Sequence, residues 1–167
     1  MAAMKFGQCA LGNQPSFHIP YLFAAIGQPW KTQYWTRRAC AELFNAGPKG
    51  FCGDEDNGSM ASWYLLSAMG LYAFCPGTQE YVVTSPVFTK VTLHFAVNKT
   101  LVITAPNNSD QNVYIQKRFF NGQEDTKIWM RHQDLIKGGE LRFEMGPGPK
   151  VEAIRPEDMI YSASDEK

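Results

Sequence analysis

Ser59-Met60-Ala61-Ser62-Trp63-Tyr64-Leu65-Leu66-Ser67-Ala68-Met69-Gly70-Leu71-Tyr72-Ala73-Phe74 is the stretch on which the fold turns. Read at helical spacing, Met60, Trp63, Tyr64, Ser67, Gly70 and Leu71 share one side. Ala61, Leu65, Ala68 and Tyr72 share another. A helix that is apolar on every side is a buried one, so this segment requires other helices around it. Directly after it, Cys75-Pro76-Gly77 breaks the chain, and the hydrophobic period changes from helical to alternating.

Two further helices are legible upstream. Pro20 to Ile26 is a short apolar run closed by Gly27, and Pro29 then stands where a helix starts, its missing N–H costing nothing in the first turn. The second helix is expected to reach about Phe44, with Trp30, Tyr34 and Leu43 as its apolar stripe, Arg37 and Arg38 on a wet side, and Asn45-Ala46-Gly47-Pro48 as its stop. Pro48 to Gly58 is a polar loop.

Downstream, short β-branched or alternating runs follow one another: Tyr81 to Val83, Val87 to Val97, Leu101 to Ala105, Val113 to Lys117, Lys127 to Met130 and Glu140 to Glu144. Turn signals such as Ser85-Pro86, Pro106-Asn107-Asn108 and Asn121-Gly122 separate them. His132 to Ile136 reads as one helical turn. The fold class is therefore α+β: helices over residues 1–76, an antiparallel sheet or sandwich over 77–150, and a polar tail over 151–167 that is expected to be loose.

Composition narrows the function. With 167 residues, 44% hydrophobic and 13% aromatic, the chain buries a real core. Its 16 basic and 16 acidic side chains cancel without any block of like charge, which argues against nucleic acid as a partner. No segment approaches the roughly 18 apolar residues of a membrane span, and Met1 to Ala10 lacks the apolar stretch of a signal peptide. Cys9, Cys40, Cys52 and Cys75 have no zinc-ligand spacing. They read as buried thiols, with Cys52 and Cys75 able to pair in an oxidising compartment.

Asp54-Glu55-Asp56, between two glycines at the entrance of the buried helix, is the densest chemical signal. Solvated loop acids are the plain alternative. The N–H groups and positive dipole end of a helix starting at Asn57 or Ser59 would favour ionised carboxylates here. If the loop is extended, Asp54 and Asp56 point the same way and converge on a water, as the base of an inverting glycosidase must. An EF-hand calcium loop fails on register, since Ser59 takes the place of its glycine and Leu65 that of its closing Glu.

The second cluster, Gly12-Asn13-Gln14-Pro15-Ser16-Phe17-His18, gathers carbonyl oxygens and an imidazole in a turn before a helix, suited to a hard cation or to sugar hydroxyls. A capped turn with a packed His is the competing reading. His94 and His132, in the β half, have no partners in sequence.

Together, Gly12 to Leu22, Gly27-Gln28-Pro29-Trp30-Lys31-Thr32-Gln33 and Gly53 to Tyr64 resemble the α-mannosidases of glycoside hydrolase family 92. Ser67-Ala68-Met69-Gly70-Leu71-Tyr72, Ser85-Pro86-Val87-Phe88 and Glu144-Met145-Gly146-Pro147 follow in the family's order. The resemblance implies that the helices are the last of an (α/α)6 barrel. It implies an inverting exo-α-mannosidase, acting on terminal α-mannosyl residues of glycans, α-1,2-linked ones by preference, and periplasmic or secreted.

By position it implies Asp56, with Asp54, as base carboxylates, Gln14 as a Ca2+ ligand, and Asn13 and His18 as substrate contacts. Phe17 and Ser59 replace a His and a Gln frequent in the family and are expected at the pocket rim. The family's general acid, a Glu, lies further upstream of the base motif than the 53 residues before Asp54 allow. The chain thus reads as the C-terminal part of a longer enzyme, inactive without the N-terminal part, or alternatively as a non-catalytic carbohydrate-binding or structural fragment.

Overall fold

The computed structural model describes residues 9–165. Two single turns of 3-10 helix, Gln14–Ser16 and Ile19–Tyr21, lead into α1 (Leu22–Ala25), followed by α2 (Pro29–Leu43) and α3 (Ser59–Met69). The β half then supplies β1 (Leu71–Tyr72), β2 (Glu80–Val83), β3 (Lys90–His94), β4 (Thr100–Thr104), β5 (Tyr114–Phe120), β6 (Gln123–Glu124) and β7 (Trp129–Arg131). The single turn α4 (His132–Leu135) and the long β8 (Gly139–Gly146) complete it.

The predicted helix over Ser59 to Phe74 ends five residues early. Gly70 sits at φ 89°, and its N–H closes on the carbonyls of Leu66 and Ser67, the left-handed glycine stop of a helix. A Cβ there would lie 3.0 Å from the Thr84 carbonyl, so the chain also approaches β2's exit too closely for any side chain. Leu71 and Tyr72 consequently leave the helix and pair with Val83 and Val82.

The strands form two sheets. A small antiparallel one has the order β1-β2-β7, and a larger one the order β3-β4-β8-β5-β6. Within the larger sheet β4 and β8 run parallel, with Leu101 opposite Gly139, while the other pairs are antiparallel. A bulge interrupts the β5–β8 ladder between Ile115 and Lys117. Bulges redirect side chains, and the next residue inward, Arg118, is buried.

Each half has its own core. Tyr21, Met60 and Trp63 centre the helical one, where Trp63 is 1% exposed and its indole N–H donates to the Phe17 carbonyl at 3.0 Å. Leu101, Ile103, Leu141 and Phe143 centre the other. The expected loose tail is in part tied down, with Ile160 in the helical core and Asp158 only 3% exposed.

Helix α2 does not use the face its apolar residues suggested. Tyr34 is 41% exposed, and the buried side is Thr32, Gln33, Thr36, Ala39 and Cys40. The hydroxyls of Thr36 and Thr84 are hydrogen-bonded at 2.5 Å, and Gln33 Oε1 accepts the N–H of Ile115 at the bulge at 2.9 Å. Arg37, expected in water, donates to the carbonyls of Pro86 and Ser109 and to Asn108 Oδ1. The two halves are joined by hydrogen bonds.

Candidate functional site

The two chemical clusters of the sequence meet through their glycines. A Cβ on Gly53 would overlap the carbonyl and Cα of Gly12, and one on Gly12 would lie 3.0 Å from the Cys52 carbonyl, so the backbones touch directly. Buried anchors hold this contact in place. Phe17 is fixed below by Trp63, and the Tyr21 hydroxyl lies 2.5 Å from Ser67 Oγ on α3. Phe17 is therefore core, 6.3 Å from the Trp63 ring, and not part of a rim.

Across this junction Gln14 Nε2 donates to Asp56 Oδ2, a side-chain contact spanning 42 residues of sequence. Asp54 and Asp56 are both exposed. The loop is not extended at Asp56. Asp56 and Asn57 adopt left-handed φ values of 51° and 56°, and the chain curls into α3. The alternation that would aim Asp54 and Asp56 together therefore does not apply. Glu55, not an aspartate, occupies the helix entrance and accepts the N–H groups of Gly58 at 2.5 Å and Ala61 at 3.2 Å. That capping role is the one sequence reasoning missed, although an acid four residues before a helix is a recognised signal for it.

Asn13 and His18 are exposed, each at the entry of one of the two 3-10 turns. Among the described residues no group of three His, Cys, Asp or Glu side chains gathers as a metal site, so a bound cation would draw on carbonyl and carboxylate oxygens of mixed origin. The contact with Asp56 uses the amide nitrogen of Gln14. Its Oε1, and Oδ1 of Asp56, stay outside that contact. Hard oxygens of this kind fit calcium, of whose six to eight ligands these two residues would give a minority. Phe51, three residues before Asp54, opens with Phe44 and Tyr64 onto an aromatic-lined depression of 480 Å³.

The four cysteines are free thiols. Only Cys40 is fully buried, and burial pushes its pKa up to about 12. Cys75 is exposed. No helix is long and apolar enough to cross a membrane among the described residues.

Comparison with known proteins places this chain in a class, the catalytic domains of glycosyl hydrolases. The model of the glycosyl hydrolase family 92 catalytic domain matches residues 1–147. A solved inverting mannosidase of that family from Bacteroides thetaiotaomicron, BT2199, superimposes with a TM-score of 0.90 at 48% identity, over 99% of this chain and 22% of its own. An α-mannosidase of the family from the same organism, BT3965, gives 0.90 at 29% identity, over 94% and 21%. A curated relative from Arthroderma benhamiae, described as an uncharacterised secreted glycosidase, is 32% identical over 81% of this chain and 18% of its own length. The chain belongs to glycoside hydrolase family 92, and it spans about a fifth of the length of these relatives.

Proposed function

We propose that this chain is the C-terminal part of an inverting exo-α-mannosidase that removes terminal α-mannosyl residues from glycans, with Asp56 as the base, Asp54 beside it and Gln14 in the shell of a calcium ion. The observation that carries the reading is the Gln14–Asp56 contact. It joins a hard neutral oxygen donor and a carboxylate on two loops that the fold presses together. The resemblance to solved family members described as mannosidases supports the substrate class.

In this reading the Gln14 amide fixes one oxygen of Asp56 and leaves the other to take a proton from water. Asp54, two residues earlier on the same exposed loop, is the second carboxylate of the base motif. Glu55 is spent on the α3 entrance, so it neither moves a proton nor binds sugar. A bound calcium would supply charge to hold and distort the sugar ring, with Gln14 as its ligand from this chain. Asn13 and His18 contact substrate hydroxyls from the first loop.

Inversion also needs an acid on the opposite side of the sugar. The acid and the remaining barrel helices come from the part of the family fold that this chain does not span. Exposed apolar side chains in the helical half, among them Ile26 at 64% and Leu65 at 53%, support such a covering neighbour. The enzyme acts outside the cytoplasm, in the periplasm or after secretion, as the secreted curated relative suggests.

The test is mannose release from α-mannosides by the full-length enzyme, with and without chelator. Activity is expected to disappear in EDTA and return with calcium, and to be absent from residues 1–167 alone. Chelator-resistant turnover removes Gln14 from a metal role. Calcium-dependent turnover by the 167 residues alone refutes the outside acid.

A further inference from the structure

A second cavity, of 290 Å³, shares no residue with the loops around Gln14 and Asp56. It opens between β5, β6, the segment 125–128 and the C-terminal segment 150–158. That volume is at the lower end of ligand pockets, which run from about 300 to 1,000 Å³, and matches a ligand the size of one sugar ring.

The wall contains Arg118, whose side chain is only 3% exposed. Asp125 Oδ2 pairs with its Nη2 at 2.8 Å, while Nε and Nη1 have no hydrogen-bond partner in the protein. The contact thus offsets charge and engages one donor, leaving the others unsatisfied. Burying a guanidinium this way is costly, and its five N–H groups demand acceptors. Contrast Arg37, whose donors reach two carbonyls and an amide oxygen.

The charges around Arg118 decide the ligand. Arg155 is paired with Asp158 at 2.8 Å, Lys117 with Glu124 at 3.6 Å and Lys150 with Glu152 at 3.2 Å. Lys127 lies over the Trp129 ring. Four of the five cations on this wall are thus paired with carboxylates, and an anion approaching Arg118 meets Asp125 and Asp158 as well. A hydroxyl both accepts and donates, so it satisfies the guanidinium and the carboxylates at once. Val83, Ile128 and Ile154 add apolar surface for the C–H face of a ring.

We propose that this cavity is a non-catalytic binding site for one neutral sugar ring, with Arg118 donating to its hydroxyls and Asp125 and Asp158 accepting from them. The ligand class follows from the wall chemistry and stands apart from the hydrolase reading, since no residue is shared.

The test is calorimetric titration of the full-length protein in EDTA with mannose and glucose, and with glucuronate and inorganic sulfate as charged counterparts. Because Arg118→Ala leaves Asp125 unpaired and risks misfolding, the decisive variant is Ala153→Trp, which fills the cavity from an exposed wall position. Neutral sugar is expected to bind the wild type and Asp56→Asn alike, and to bind Ala153→Trp about tenfold or more weakly, a loss of about 1.4 kcal/mol. Sugar binding that is absent, that survives Ala153→Trp unchanged, or that vanishes in Asp56→Asn overturns the proposal. So does stronger binding of glucuronate or sulfate than of the neutral sugars. Failure of the hydrolase reading is read separately, as normal mannoside turnover by Asp56→Asn.

Discussion

The Gln14–Asp56 loops and the Arg118 cavity place ionisable groups by opposite means. In the first, the charged side chains are exposed and their supports are buried: Trp63 below Phe17, Tyr21 against Ser67, and two glycine backbones in contact. In the second, the charged group is itself buried and its neighbours are half-wet carboxylates and lysines. The first therefore announces itself as a dense run of acids in the sequence, and the second only as donors without acceptors in the fold. A search for function by charge density finds one, and a search by unsatisfied burial finds the other.

The largest expected effect lies on the exposed side. Asp56→Asn in the full-length enzyme should lower kcat by about 10² to 10⁴, the range of lost general-base catalysis, with an unchanged melting temperature. Asp54→Asn should also be damaging. Near-normal turnover in both variants would dissolve the first half of the comparison.

Next come the two arginines. Arg37→Met should cost about 2–3 kcal/mol in denaturant unfolding, because the Pro86 and Ser109 carbonyls lose their donor. Arg118→Met combined with Asp125→Asn should stay within about 1 kcal/mol of wild type, since it removes an unsatisfied buried charge together with its counter-ion. Equal losses in the two would mean that Arg118 is a structural arginine after all.

Gly53→Ala should destabilise by about 1–3 kcal/mol, as overpacking does, because its methyl meets Gly12 backbone that cannot rotate away. It should also lower turnover more than its stability loss explains. The mildest contrast is chemical. At pH 8 a thiol reagent should modify exposed Cys75 promptly and leave Cys40 intact, since a pKa near 12 keeps that thiol protonated. Rapid labelling of Cys40 would show that the α2 interface opens.

Much of the fold was legible. Pro29 marked the start of α2, the β-branched runs marked strands, and a stop at Asn45-Ala46-Gly47-Pro48 fell where α2 ends at Leu43. The errors share a cause in tertiary contact. Gly70 reads as one more small residue on a helix face until Thr84 approaches it, and Arg37 reads as part of a wet side until the Pro86 and Ser109 carbonyls of the β half meet it. At the candidate site both clusters were visible and their meeting was not, because it depends on Gly12 touching Gly53. Arg118 escaped altogether. The run Val113 to Lys117 ends one residue short of it, and its burial follows a bulge that no local pattern encodes.

The parallel pairing of β4 with β8 has a consequence for synthesis. β8 is the last strand of its sheet to leave the ribosome, yet it is inserted between β4 and β5. Until it emerges, the nascent chain holds two half-sheets with facing open edges, the form most prone to pair with another molecule. A chain cut before Gly139 is therefore not merely shorter: it keeps both adhesive edges and loses the strand that would have covered them.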